Sequence, residues 1–148
     1  PGGYPELHAA TLAKGARCRE SLAEHIAAGR PVWAECGGMM PLFETLTTAD
    51  GDEHPMWGLL PGRVAMQKRL AALGPQRWDT AQGELRGHTF HYSTTESPLP
   101  PRFRTEAQRA GGRGEAIYVQ GSVRASYFHA WFASNPEAAA SLFLEEIL

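Results

Sequence analysis

Residues 31–42 read PVWAECGGMMPL: a short apolar run ends in Cys36, two glycines follow at once, and a second apolar run begins. PVWAEC has the length and content of a buried strand, and MMPLFETL reads as a helix after it. Pro41 falls early in that helix, where its missing N–H is tolerated. A strand that turns straight into a helix holds the turn residue in strained backbone geometry. Its side chain then projects above the sheet, and the next backbone N–H points at whatever that side chain attacks. Such a corner needs small neighbours, and Ala34 two before Cys36 and Gly38 two after it meet the small-x-nucleophile-x-Gly pattern with sulfur in place of a hydroxyl. The helix start favours a thiolate over a thiol, and its free N–H groups can receive an oxyanion. The competing reading is a cysteine that merely caps a tight turn.

A cysteine nucleophile needs a proton carrier, and histidine is the usual one. The chain has six: His8, His25, His54, His88, His91 and His129. A solvated helix face accounts for His8 and His25, and an exposed polar turn for His54. His88 and His91, in GHTFHYS, are three residues apart and cannot share one face of a flat strand. His129, in SYFHAWF, sits among aromatics near a strand end; a core histidine with a satisfied ring is its alternative role. The H-x-x-H pair with a third histidine and a cysteine has four zinc-ligand types, but the spacing is not that of the common zinc modules, so no metal is expected.

With 148 residues, 43% hydrophobic and 20% charged, the chain has the balance of one globular domain with a core of its own. Fourteen basic residues against sixteen acidic leave a net charge of -2 with no run of one sign, which points away from nucleic acid. No apolar stretch is long enough to span a bilayer, and the opening residues do not read as a basic-then-apolar leader. Two cysteines make no disulfide framework, so a cytoplasmic, reducing setting is expected.

Residues 6–30 are rich in helix formers. Cys18, Leu22 and Ile26 recur every four residues, which predicts one buried face with Cys18 in the core and Gly29 ending the helix. After ADGDEHP the pattern turns extended: MWGLLPGRVAM, GELRGHTFHYSTTE, then EAIYVQ and VRASYFHAWF joined by a hairpin turn at Gly121 and Ser122. SPLPPRFRTEAQRAGGRG, with three prolines and three glycines, reads as a surface loop. NPEAAASLFLEEIL predicts a helix to the terminus with Asn135 as N-cap and Pro136 in its first turn. The layout is α/β, with antiparallel pairing toward the end. The opening PGGYPE reads as a loop lacking the strand that ought to lead into it.

PGGYPELHAATLA, PVWAECGGMMPL, LRGHTFHYS and ASYFHAWFASNP, in this order and at these separations, resemble the C-terminal glutamine amidotransferase domain of cobyrinic (or hydrogenobyrinic) acid a,c-diamide synthases over nearly the whole chain. The resemblance implies a flavodoxin-like class I amidotransferase fold, here N-terminally truncated, of the Cys–His subtype in which the carboxylate that usually follows the histidine is missing. Ala130 and Trp131 follow His129, where other class I members place Pro-Glu. By the same resemblance Cys36 is the nucleophile and His129 the base, Gly2 or Gly3 joins Gly37 in binding the substrate's oxyanion, and GHTFHYS lies beside the site without a defined step. Two positions depart from the family pattern: Trp131, where a second histidine is more usual, and Pro41, where an aromatic is.

The resemblance implies glutamine as substrate and no cofactor in residues 1–148. ATP and Mg²⁺ would belong to an N-terminal synthetase domain that activates the a and c carboxylates of a corrinoid acid. No G-x-x-x-x-G-K-[ST] occurs in the chain. Three readings stay open: a glutaminase half-reaction, an inactive docking module contacting a synthetase through the 97–114 loop, and an amidotransferase for another tetrapyrrole. A homo-oligomer is also left open.

Overall fold

The computed structural model describes residues 1–144. A 3₁₀ turn (Pro5–His8) leads into α1 (Ala9–Ala13), and Gly15 breaks the run before α2 (Ala16–Ala27). Gly29, at φ 73°, sits in the left-handed region just past α2, as a helix-ending glycine should. The strands are β1 (Val32–Glu35), β2 (Thr45–Thr47), β3 (Glu53–Pro55), β4 (Arg63–Met66), β5 (Ala72–Thr80), β6 (Gly83–His91) and β7 (Ser93–Glu96). They are followed by β8 (Phe103–Arg104), β9 (Glu106–Ala107), β10 (Ala116–Gln120), β11 (Val123–Ser126) and β12 (His129–Ala130), and α3 (Pro136–Ser141) closes the described fold.

Three four-stranded sheets result, in the orders β1-β11-β10-β8, β12-β6-β5-β9 and β3-β2-β4-β7. β1 runs parallel to β11, pairing Val32 with Val123 and Glu35 with Ser126, and β2 runs parallel to β4. β10 and β11 form the expected hairpin, with Gly121 at φ 55° in the turn. β11 lies between β1 and β10 and buries all four of its residues. One core gathers Met39, Leu42, Phe43, Leu46, Val64 and Val123; a second gathers Trp78, Leu85, Ile117 and Phe128.

Two extended stretches that read as single strands are each divided between sheets. GELRGHTFHYSTTE breaks at Tyr92: β6 pairs with β5 and β12, whereas β7 pairs with β4. VRASYFHAWF breaks at Tyr127 and Phe128, both buried, and the Ser126 hydroxyl accepts a hydrogen bond from the Phe128 N–H at 3.1 Å. That second break carries His129 out of the sheet containing β1 and into its neighbour.

Three expectations need correction, and one strand went unread. Cys18 is exposed, while Leu22 and Ile26 pack partly buried against the core. A repeat of four residues overshoots a helical turn by about 40°, which rotates Cys18 off the face that Leu22 and Ile26 share. MMPLFETL is not one helix: a 3₁₀ segment Cys36–Leu42 ends where Phe43 turns extended (φ -74°, ψ 178°), and β2 follows. The 97–114 segment is more than a surface loop, because β8 pairs with β10, β9 pairs with β5, and Thr105 is buried. β5 carries Gly74 and Pro75, which hid it as a strand; its pairing with β9 covers only Gln76 and Arg77. At α3 the N-cap is as expected, with the Asn135 side chain accepting from the Ala138 N–H at 3.1 Å. The helix continuation over residues 145–148 lies outside the described residues.

Candidate active site

β1 ends at Glu35, and the next residue bears the strain of the corner. Cys36 has φ 49°, and among the described residues it is the only non-glycine at positive φ. That conformation costs about 1–2 kcal/mol for an L-residue, and a glycine would relieve it. Keeping a cysteine there makes sense if the sulfur itself is needed. Gly37 and Gly38 are fixed by close approach: a Cβ on Gly37 would collide with the Gly3 backbone, and one on Gly38 would lie 2.5 Å from the Pro1 carbonyl. The PGG segment thus lies directly against the corner. Cys36 is 8% exposed, and a cavity of about 70 Å³, walled in part by Gly3, Tyr4, Gly37, Phe90 and His91, reaches it. Its thiol donates to the Phe90 carbonyl, S···O 3.8 Å.

His129 opens β12. The neighbouring Cys36 side chain is the strongest influence on its imidazole, and the hydrogen bond with Glu35 is the next. Both outweigh the cost of burial and raise the ring to about 9, so that it is charged at neutral pH. The contact with Glu35 runs from Nδ1 to Oε1 at 3.1 Å. With Nδ1 engaged, Nε2 is the ring nitrogen left for another partner. One ring face stacks on His88, centroids 4.8 Å apart and planes 7° from parallel, and a Cβ on Gly2 would lie 2.7 Å from Cε1. Burial, then the neighbouring His129 charge, lowers the His88 imidazole below its ordinary value.

The structure therefore brings together Cys36, His129, Gly2, Gly3 and Gly37, and sets both histidines of GHTFHYS beside them. As their odd spacing requires, His88 and His91 leave opposite faces of β6, one toward His129 and the other toward Tyr127. The remaining histidines lie elsewhere: His8 is exposed, His25 meets the Pro31 carbonyl at 3.2 Å, and His54 is half-buried on β3 rather than in an exposed turn. Among the described residues no group of three or more His, Cys, Asp or Glu side chains converges as metal ligands would.

Comparison with known proteins agrees with this geometry. A model of the CobB/CobQ-like glutamine amidotransferase domain matches residues 1–137. The chain belongs to that family. Its class I glutamine amidotransferase fold is the α/β class expected from the sequence. The chain is 50% identical over 147 residues to a cobyrinate a,c-diamide synthase from Herminiimonas arsenicoxydans, covering 99% of this chain and 34% of that protein. It is 47% identical to a hydrogenobyrinate a,c-diamide synthase from Stutzerimonas stutzeri and 46% identical to one from Pseudomonas aeruginosa, in each case covering 96% of this chain and 33% of the relative. The chain thus spans about a third of the length of these relatives.

Two carboxylates in this amidotransferase domain were not legible as site residues. Glu35 was read only as part of an apolar strand, although a lone acid next to a candidate nucleophile was a signal that could have been weighed. Glu115 gave none. It is brought to the site by the start of β10, where its Oε1 accepts from the Thr89 hydroxyl at 2.7 Å and meets His91 Nε2 at 3.1 Å.

Proposed function

We propose that this domain hydrolyses glutamine and supplies ammonia for amidation of the a and c carboxylates of cobyrinic or hydrogenobyrinic acid in cobalamin biosynthesis. The observation that carries the reading is the strained Cys36 at the end of β1 with the His129 imidazole as its neighbour. The similarity to cobyrinate and hydrogenobyrinate a,c-diamide synthases supports the acceptor, which this chain alone does not specify.

In this mechanism the Cys36 thiolate adds to the side-chain amide carbon of glutamine, and the oxyanion that forms is met by backbone N–H groups at Gly37 and the PGG segment. The C–N bond breaks as His129 gives its Nε2 proton to the departing ammonia. Water then adds to the thioester, returning a proton to His129, and the C–S bond breaks to release glutamate and restore the thiolate. The charged imidazole described above is the form the first transfer requires.

ATP and Mg²⁺, which the family resemblance implies for the activation of the acceptor, have no matching phosphate loop here. The two lysines, Lys14 and Lys68, are followed by Gly15 and Arg69 rather than Ser or Thr. No step in these residues runs through the nucleotide. Among the described residues no helix is long and apolar enough to cross a membrane, and both cysteines are free, which suits the reducing compartment proposed for this protein.

The test is direct. Cys36→Ala is expected to abolish glutamate release, and a glutamine-like diazo ketone is expected to add once, at Cys36, by intact-mass measurement. Glutamate release by Cys36→Ala at the parent rate would refute the mechanism. A folded parent protein that takes no label at any concentration would favour the docking module.

A further inference from the structure

Ala130 and Trp131, directly after His129, offer no carboxylate, yet the ring is not left without one. The parallel register of β1 and β11 sets Glu35 opposite Ser126, so both strands end at the same edge of the sheet. From that edge one chain turns into Cys36, and the other returns three residues later as His129. The Glu35 carboxylate bridges the two. Its Oε2 accepts from the Trp33 indole N–H at 3.0 Å and from the Ala130 backbone N–H at 3.1 Å, which pins it to β1 and β12 at once. Oε1 is left pointing at His129 Nδ1. Burial alone would raise this carboxyl, but the hydrogen bonds from His129, Trp33 and Ala130 together hold it below its ordinary value. The histidine ring is fixed by His88 on one face and close to Gly2 at its Cε1 edge, so its orientation is set on several sides.

We propose that Glu35, the residue immediately before the nucleophile, is the carboxylate partner of the Cys36–His129 pair. It acts as a positioning residue that comes from the strand ahead of the cysteine rather than from the chain after the histidine. Glu35 accepts the hydrogen bond from Nδ1–H throughout the cycle and never takes the proton. Nε2 alone then exchanges protons with the leaving ammonia and the incoming water, and the imidazolium that pairs with the thiolate is stabilised from behind. In a Ser–His–Asp triad the loss of that acceptor leaves the wrong tautomer and costs about 10⁴ in kcat. An imidazole that is already charged gains less from the carboxylate, so about 100-fold is expected here.

This proposal rests on the glutaminase reading for its kinetic consequence, and its test includes readouts that do not. Glu35→Gln keeps the shape of the side chain and removes its charge. It is expected to lower kcat for glutamine hydrolysis about 100-fold with KM little changed, and Glu35→Asp to recover part of the loss. The rate of Cys36 alkylation by iodoacetamide, followed against pH, should show its His129-dependent limb moving down from near 9 toward the ordinary histidine range in Glu35→Gln. In the unsubstituted protein, ¹⁵N-histidine NMR should find a downfield, exchange-protected proton on His129 Nδ1, and this measurement decides the question even where a variant fails to fold. An Nδ1 without that proton, or a Glu35→Gln alkylation profile identical to the parent's, would overturn the proposal. A protein that leaves glutamine intact but whose alkylation profile moves with Glu35 would refute the glutaminase reading and leave this assignment standing.

Discussion

Two histidine–carboxylate pairs flank the corner at Cys36, each joined at 3.1 Å, and they are built for opposite ends. His91 has both ring nitrogens against acceptors, Nδ1 at 2.7 Å from the Ser93 carbonyl and Nε2 on Glu115, while its ring lies flat on Tyr127 with centroids 3.7 Å apart. Its side chain is 9% exposed and that of Glu115 11%. Glu115 is further tied by the Thr89 hydroxyl, and its own N–H donates to Thr105 at 2.7 Å. His129 has Nδ1 held by Glu35, and its side chain is 22% exposed. A histidine with every polar atom committed can only hold the fold together. One held at a single nitrogen keeps a site from which a proton can move, and the carboxylate behind it sets which site that is.

The sharpest way to break this comparison is to remove each imidazole separately. His129→Gln is expected to lower glutamine turnover by about 10³-fold or more, with the folded state retained. His91→Gln is expected to do the reverse: turnover within about tenfold of the parent, and a loss of roughly 1–3 kcal/mol in unfolding free energy as Glu115 loses a buried partner. Glutamate release together with urea unfolding reads both quantities on the same two variants. If His91→Gln proved as inactive as His129→Gln, the division between a structural pair and a chemical one would be wrong.

The packing of the two rings gives a second, smaller contrast. His91 leans on a large aromatic, whereas His129 is approached by Gly2, where a methyl group would intrude on the ring at 2.7 Å. The backbone here offers little room to retreat, because the neighbouring Gly3 lies against Gly37. Gly2→Ala is therefore expected to displace the His129 ring and cost up to about 100-fold in kcat, the scale of a 1 Å misplacement. Urea unfolding should change far less. A variant with parent activity would mean that the PGG segment moves freely and does not help to define the ring's position.

What the sequence disclosed of this arrangement follows a physical pattern. The Cys36 corner was legible because strain and close approach leave marks in residue type: only glycines fit beneath the PGG segment, and a cysteine at positive φ is retained at a cost. The cap at Asn135 and the turn at Gly121 were legible for the same local reason. The breaks at Tyr92 and at Tyr127–Phe128 were not, because an apolar residue that crosses between sheets looks like one that continues a strand. Glu35 and Glu115 were hidden by distance: Glu35 meets a histidine 94 residues away, Glu115 one 24 residues away. Only the parallel pairing of β1 with β11 and the path of β10 bring those partners together.

The smallest of the expected effects is how the Cys36–His129–Glu35 group responds to pH. His129 is raised from the ordinary 6.5 to about 9 in the folded protein, so the stability it contributes is present in full below about 6.5 and is lost as pH rises through about 9. Glu35 is held low, so its contribution is present above its ordinary 4.5 and is lost as pH falls through its lowered value. The Cys36–His129–Glu35 group should therefore stabilise the fold most between about 4.5 and 6.5 and weaken on the alkaline side by an amount of order 2 kcal/mol. Urea midpoints measured from pH 6 to 10 should fall in the parent protein, and the fall should shrink in Cys36→Ala, where the strongest influence raising the ring is gone. An undiminished alkaline loss in Cys36→Ala would assign the titration to some other group and remove the sulfur as the reason His129 carries its charge.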